Sequence, residues 1–468
     1  MSMNTKLSNL SEIYSFFRKS TLPVFFVHPT PYNVLGLGQW VNAFRYISHF
    51  DSFDGNHHRV MRPTAPADRT FKSKEDIVNY LVSHPETHAY IKSLGGRGKM
   101  LTVMFDEETE QLAAEAGLEI ALPSVELRTR LDSKIVTTQL AAEVGVPSVP
   151  NVLGTANSYE ELETLCRENH LGNDLVVQTP YGDSGQTTFF ITEEEHWNAC
   201  ADKLSGQQLK VMKRINNLPY TLEAVATCHG TLVGPVQADI VGHNELTPYK
   251  GGWAGNDLHR QVLKQSQTRR MRSMTQAMGD RLYREGYKGT FCLDFLVDTE
   301  TGDVYLGELN PRISGASALT NMVTAKYGGA PLMLFHLLEF MDVEYELDIE
   351  KVQQRWADFD SWTQLVMKQT DEPVRRVLEA PSSGIWTMLD DGNIEFSRQS
   401  IDWHSVANED EAFFLRVYGK GDWLFKGADV GILVTRGRMQ HENGELTERA
   451  RSWIRAIHQQ FVTNPPKS

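Results

Sequence analysis

Hydrophobic and polar positions change their period along the chain, and those changes divide it into three stretches. Residues 22–28 (LPVFFVH) are an unbroken apolar run, the pattern of a strand buried on both faces. A turn-rich segment, 29–38, follows, and a helix is expected over 39–47. A second buried strand is expected at 99–106 (KMLTVMFD), then a helix over 107–116 stopped by Gly117. Strand and helix signals that alternate in this way are typical of α/β domains. From about residue 130 the texture changes. A helix over 134–144 ends at Gly145-Val146-Pro147, and strands are expected at 174–178 and 188–191 around the loop 179–187. Another strand pair reads at 210–215 and 220–227, followed by a long amphipathic helix over 261–285. The last stretch is strand-rich: 385–389 and 394–396 flank the turn Asp391-Gly392, and 413–418 and 431–435 follow. A closing helix over 446–461 puts Trp453, Ile454, Ile457 and Phe461 on one stripe, which reads as core packing.

With 468 residues the chain is long enough for about three domains. Its 41% hydrophobic and 23% charged residues are those of an ordinary globular protein. The net charge of −14 argues against a nucleic-acid surface, so an anionic substrate would need a locally positive pocket or metal ions. The four cysteines, Cys166, Cys200, Cys228 and Cys292, lack metal-type spacing and read as reduced thiols. The start, MSMNTKLSNLSEIYSF, shows no apolar signal-peptide core, and no apolar run reaches the ~18 residues a membrane span needs. A cytoplasmic protein with no membrane partner is expected.

The chemistry concentrates in residues 289–315, GTFCLDFLVDTETGDVYLGELNPRISG, which read as two short strands and a polar turn. Phe291, Leu293, Phe295 and Val297 alternate onto one face, which places Asp294 on the other between Cys292 and Leu296. On the second strand Glu308 and Asn310 share a face, Pro311 ends the ladder, and Arg312 lies just beyond. Paired, the strands would gather Asp294, Glu308 and Asn310 beside a guanidinium. Oxygen ligands on rigid strands suit Mg²⁺ bound jointly with phosphates. The alternative is a solvated hairpin with incidental charges; its apolar neighbours weigh against that. Two further features are weak alone. The Gly/Ser/Thr loop 181–188 could fold over phosphates, and Lys134 opens a helix. Gly36-Leu37-Gly38 lacks the full spacing of a dinucleotide loop and reads as an ordinary turn.

Taken in chain order, these pieces resemble the ATP-grasp superfamily. The match lies in Asp132-Ser133-Lys134 with Gly145-Val146-Pro147 and Pro150 downstream, in the strand and loop 175–187, in the strand pair ending at Glu223, and in Gly289…Asp294…Glu308-Leu309-Asn310-Pro311-Arg312. It covers residues 100–330. The run Ile313-Ser314-Gly315-Ala316-Ser317-Ala318-Leu319-Thr320 is closest to the carbamoyl-phosphate synthetase and biotin carboxylase branch. The resemblance implies an α/β chain with an α+β ATP-grasp fold. A Rossmann-like pre-ATP-grasp domain would occupy 1–125, the ATP-grasp domain 126–335 with a lid subdomain at about 148–215, and a strand-rich domain 336–468. It also implies ATP and Mg²⁺ as cofactors, with Mn²⁺ as an alternative ion. Asp294, Glu308 and Asn310 would hold the metal, and Arg312 would stabilise the transferring phosphoryl group. Lys134 would contact phosphates from the floor, and Ser184 and Gly185 would lie in the lid. Gln178, Lys213, Arg214 and Ile215 would line the nucleotide, with Glu223 near the ribose or phosphates. A homodimer is expected from related enzymes.

Three departures shape the functional reading. Gln178 stands where the family commonly has a second phosphate-contacting lysine; Lys213 or Arg214 is available to compensate. Ala316 stands where biotin carboxylases carry a glutamate used in bicarbonate chemistry, and no Ala-Met-Lys-Met biotinylation site is present. The segment 239–257 reads as a long glycine-rich loop, either a surface loop or one closing over the acceptor through His243, Lys250 and Trp253. The leading expectation is an ADP-forming ligase that activates a small, amino-acid-like carboxylate as an acyl phosphate for an amine or thiol. A bicarbonate-activating enzyme of the carboxylase or carbamoyl-phosphate type is the alternative, and a catalytically silent nucleotide-binding module the third.

Overall fold

The computed structural model describes residues 6–65, 70–182 and 187–464. The N-terminal part is a five-stranded parallel sheet in the spatial order Val60–Met61, Phe44–Ser48, Val24–His28, Gly98–Leu101, Leu118–Ile120. The helix expected over 39–47 is not there. A short 3₁₀ turn, Leu37–Gln39, leads instead into the strand Phe44–Ser48, paired with Val24–His28 in the register Val24↔Phe44. The apolar positions 41, 44 and 47 imitate a helical stripe. Phe44 and Tyr46 pack into one core and Ile47 into the core on the other side, the period of a strand buried on both faces.

The middle of the chain builds two antiparallel sheets. The smaller, the lid sheet, has four strands in the order Asn151–Gly154, Leu209–Lys213, Leu175–Gln178, Thr188–Ile191. Leu175, Val177, Leu209 and Val211 face a small core with Leu162 and Cys166 of the helix Tyr159–Glu168. Strand alternation therefore turns Gln178, Lys210 and Met212 the other way.

The larger sheet has ten strands and starts at the hairpin Val304–Asn310 and Gly289–Asp298, followed by Asn217–Thr227, Gly230–Val241 and Trp253–Leu258. It continues without a break into the C-terminal strands, because Trp253–Leu258 pairs with Trp362–Lys368. The limit expected near residue 335 falls inside the helix Leu332–Leu338. The segment 239–257 is less of a loop than its glycines suggest, since strands claim both ends and leave 242–252 between them. The closing helix spans Glu448–Gln459, with Trp453, Ile454 and Ile457 buried and Phe461 packed on the same cluster. Among the described residues no helix is long and apolar enough to cross a membrane.

One face of the large sheet is covered by the helix Gln265–Arg284, whose Met271, Met274, Met278 and Leu282 meet Leu222, Ala224, Phe291, Leu293 and Phe295. The opposite face carries the chemistry. Contact between helix and sheet is closest at Gly279, where a Cβ would stand 2.4 Å from the Thr231 side chain and 2.8 Å from the Phe291 ring. Alanine is favoured over glycine inside a helix by about 1 kcal/mol, but overpacking of this kind costs about 1–3 kcal/mol. Gly279→Ala should therefore lower stability by up to about 2 kcal/mol, read as a lower urea midpoint at unchanged m. A raised midpoint would show that the helix can slide off the sheet without loss.

Candidate active site

The hairpin sets Asp294 opposite Glu308 and Cys292 opposite Asn310, with a bulge just after Asp294. Asn310 Nδ2 donates to Asp294 Oδ2 at 2.9 Å. Glu308 turns to Lys134, whose Nζ lies 2.7 Å from its Oε1. Lys134 opens the helix Lys134–Glu143, capped by Ser133, and its buried Nζ also donates to the Gly182 carbonyl at 3.0 Å. Floor, hairpin and lid therefore meet at one ammonium. Burial pushes the Asp294 carboxyl up to about 6, Glu308's charge pushes it the same way, and Thr221, Cys292 and the Arg312 charge pull it back.

Behind Asp294 lies a carboxyl that the sequence reading did not single out. The Thr221 hydroxyl stands 2.9 Å from Asp294 Oδ1 and 2.9 Å from Asp239 Oδ2. One hydroxyl has one proton to donate, so two ionised carboxylates cannot both be satisfied there. One carboxyl must carry the second proton. Asp239 is held well above the usual carboxylate range by burial and by Asp294's charge. Asn256 Nδ2 donates to its other oxygen, and Asn256 Oδ1 in turn accepts from Gln364 Nε2 at 2.8 Å.

The donor set fits a magnesium ion shared with phosphates. The candidate ligands are oxygens, Asp294 and Glu308 face each other, and a cation would relieve the repulsion that raises Asp294. Among the described residues no three His, Cys, Asp or Glu side chains close on a common point. Protein groups alone do not complete a coordination shell, as expected for an ion that takes its remaining ligands from nucleotide and water.

The other expected residues are dispersed. Gln178 Nε2 donates to the Thr188 hydroxyl at 3.1 Å within the lid sheet. Lys213 and Arg214 are exposed; Arg214 pairs with Asp174 at 3.7 Å and lies 5.1 Å from the Phe190 ring centre. Neither compensates for Gln178. The cation beside it is Lys210, its direct partner on the neighbouring strand, which the sequence reading passed over. Ile215 is half-buried at the end of the lid, and Ser184 and Gly185 lie outside the described residues. Glu223 does not point to open space for a ribose: its Oε1 accepts from the Ser314 hydroxyl at 2.7 Å and from the Ser317 hydroxyl. His243, Lys250 and Trp253 do not converge. His243 Nε2 meets the Gly444 carbonyl at 3.1 Å, Lys250 lies 5.7 Å from the Phe190 ring centre, and the Trp253 ring packs against Gly315, where a Cβ would come within 2.3 Å of it.

Glu223 yields a pH-dependent test. Burial raises its carboxyl from 4.5 to about 7, against the pull of the serine hydroxyls. The folded state thus holds a proton that the unfolded chain releases, so stability falls as pH rises from 4.5 and the loss is complete above about 7. The difference corresponds to at most ~3 kcal/mol. Glu223→Gln should gain stability relative to the parent protein between pH 5 and 8, followed by thermal unfolding at each pH. Parallel curves would mean that Glu223 does not titrate in this range.

No protein-family model matches the chain. Over 290 residues it is 22% identical to biotin carboxylase 1 of Bacillus subtilis, covering 58% of each protein. The chain thus spans little more than half the length of that relative. Among solved structures, the biotin carboxylase domain dimer of Hydrogenobacter thermophilus 2-oxoglutarate carboxylase, in complex with MgADP, ADP and bicarbonate, matches with a TM-score of 0.61 at 13% identity, covering 96% of this chain and 92% of that one. An N5-carboxyaminoimidazole synthase of Aspergillus clavatus, in complex with ADP and 5-aminoimidazole ribonucleotide, matches with a TM-score of 0.56 at 11% identity over 93% and 99%. The chain has the fold of these biotin carboxylase and N5-carboxyaminoimidazole synthase structures.

Proposed function

We propose that the chain is an ADP-forming ligase that activates bicarbonate with MgATP and passes the carboxyl group to a nitrogen nucleophile. The observation that carries this reading is the cluster of Lys134, Glu308, Asp294 and Asn310 at the meeting point of lid, floor and hairpin. Magnesium, when bound, would neutralise phosphate charge and orient the γ-phosphoryl group. A bicarbonate oxygen attacks that phosphorus and ADP departs. The acceptor nitrogen then attacks the carbonyl carbon, phosphate departs, and the nitrogen loses a proton. Arg312 is placed by the Asn310 carbonyl, which accepts its backbone N–H at 2.9 Å, and would offset charge on the transferring group. Bicarbonate, rather than the amino-acid-like carboxylate first expected, is favoured because a structural neighbour holds it beside MgADP. The organic carboxylate stays as the second reading because Ala316 takes the place of the glutamate that biotin carboxylases use.

The assay is release of ADP and phosphate from MgATP with labelled bicarbonate and a panel of amines. Label fixed into an amine-dependent product is the expected result. Phosphate release that needs an organic carboxylate and ignores bicarbonate would establish the second reading, and release of AMP with pyrophosphate would sink both. Glu308→Gln should lower turnover by ~10²-fold or more in a protein that still folds, as circular dichroism would check. The neighbour described as a dimer further suggests a homodimer. Light scattering should return twice the 52.9 kDa of the chain, and a monomer would reject that part.

A further inference from the structure

Lys210 is out of place for a structural lysine. It lies on Leu209–Lys213, an interior strand of the lid sheet, flanked by Asn151–Gly154 and Leu175–Gln178. Its neighbours Leu209 and Val211 fill the lid core, so Lys210 points out of the opposite face. Yet it is only 2% exposed. The side chain crosses from the lid to the large sheet, where Nζ reaches the Gly307 carbonyl at 3.5 Å, the only hydrogen bond it makes among the described residues. An ammonium has three protons to donate, and one long contact to a neutral oxygen is poor compensation for burying it. The nearest carboxylate, Glu308, is already engaged by Lys134 at 2.7 Å. Two buried ammonium groups, one from the floor helix and one from the lid, thus face a single, partly exposed carboxylate. Burial pushes Lys210 down to about 8 and Lys134 adds to this, while Glu308 holds it up.

We propose that Lys210 is the second phosphate-binding cation of the nucleotide cleft, supplying from one strand the charge that Gln178 lacks on the next. This rests on the reading of the cleft as an ATP site. The Cα atoms of Gln178 and Lys210 are direct partners in the lid sheet, so exchanging the two residue types moves the charge by one strand spacing and leaves it on the same face. Lys134 and Lys210 carry two positive charges against the one negative charge of Glu308, and a di- or triphosphate entering beside them would supply the negative charge that is lacking. Lys213 and Arg214 cannot serve, because both project into solvent.

The test is calorimetric binding of ADP with Mg²⁺, and of adenosine alone, to the full chain. Lys210→Gln should weaken ADP binding about tenfold or more while leaving adenosine affinity unchanged. The exchange Gln178→Lys with Lys210→Gln should restore most of the ADP affinity. It also keeps the test open should Lys210→Gln alone fail to fold. Equal ADP affinity in Lys210→Gln and the parent chain would overturn the assignment, as would an equal loss for adenosine, which marks a structural role. A folded exchange variant as weak as the single variant would overturn the strand-to-strand substitution. A parent chain that binds neither ligand would instead overturn the ATP reading beneath it.

Discussion

Carboxyl groups buried on one face of a sheet are the constraint around which the cleft is organised. Asp294, Asp239 and Glu223 lie within a few strands of each other, the last two buried and Asp294 partly so, where each ionised group raises the energy of the next. The fold relieves this in three ways. Thr221 can bridge two carboxyls only if they share a proton. Ser314 and Ser317 spend their hydroxyls on Glu223 at the start of the helix Ser317–Gly328, whose N-terminal dipole also favours negative charge. Lys134 supplies a cation to Glu308. What remains unrelieved is the repulsion between Asp294 and Glu308, which a bound metal ion would offset.

The same constraint explains why distant parts of the chain are tied to the cleft. A chain of amides runs from Asp239 through Asn256 to Gln364, which lies on the first strand of the C-terminal part. Gln364 Nε2 also donates to the Gly315 carbonyl at 2.9 Å, and its Oε1 accepts from Tyr32 of the N-terminal part. Asn33 Nδ2 donates to the Ser314 carbonyl at 2.8 Å. These amides fix the 313–317 turn against the N-terminal and C-terminal parts of the molecule at once. The sheet that crosses the expected limit at 335 serves the same end, because any break in it would cut the amide chain.

Much of this was legible in the sequence, and what was missed shares a cause. The hairpin could be read because its signal is local: strict alternation, a glycine turn, and acids spaced by two. Its bulge after Asp294 left no mark. The strand Phe44–Ser48 was misread as helix because burial on both faces erases alternation. The helices Ser317–Gly328 and Leu332–Leu338 were not read at all, since they are buried nearly all round and show no amphipathic stripe. Lys210 could not be read, because in LKVMKR it alternates as a solvent-facing strand lysine would. Only the large sheet, brought across it by tertiary contact, turns that face into an interior. Asp239 was hidden likewise, as the first residue of a supposed loop whose start is in fact the end of a buried strand.

The acceptor side follows a different logic from the phosphate side. An amine attacks only when neutral, so a strongly basic amine needs a nearby group to take its proton. Ala316 removes the acid that biotin carboxylases place there, and the nearest remaining carboxyl, Glu223, already has one oxygen committed to two serine hydroxyls. Burial raises that carboxyl to about 7, against the pull of the serine hydroxyls. Trp253 lying against Gly315 adds an apolar wall without a base. The hairpin keeps its carboxylate–ammonium pair, Glu308 with Lys134, while the turn beside Glu223 carries Ala316 in place of an acid.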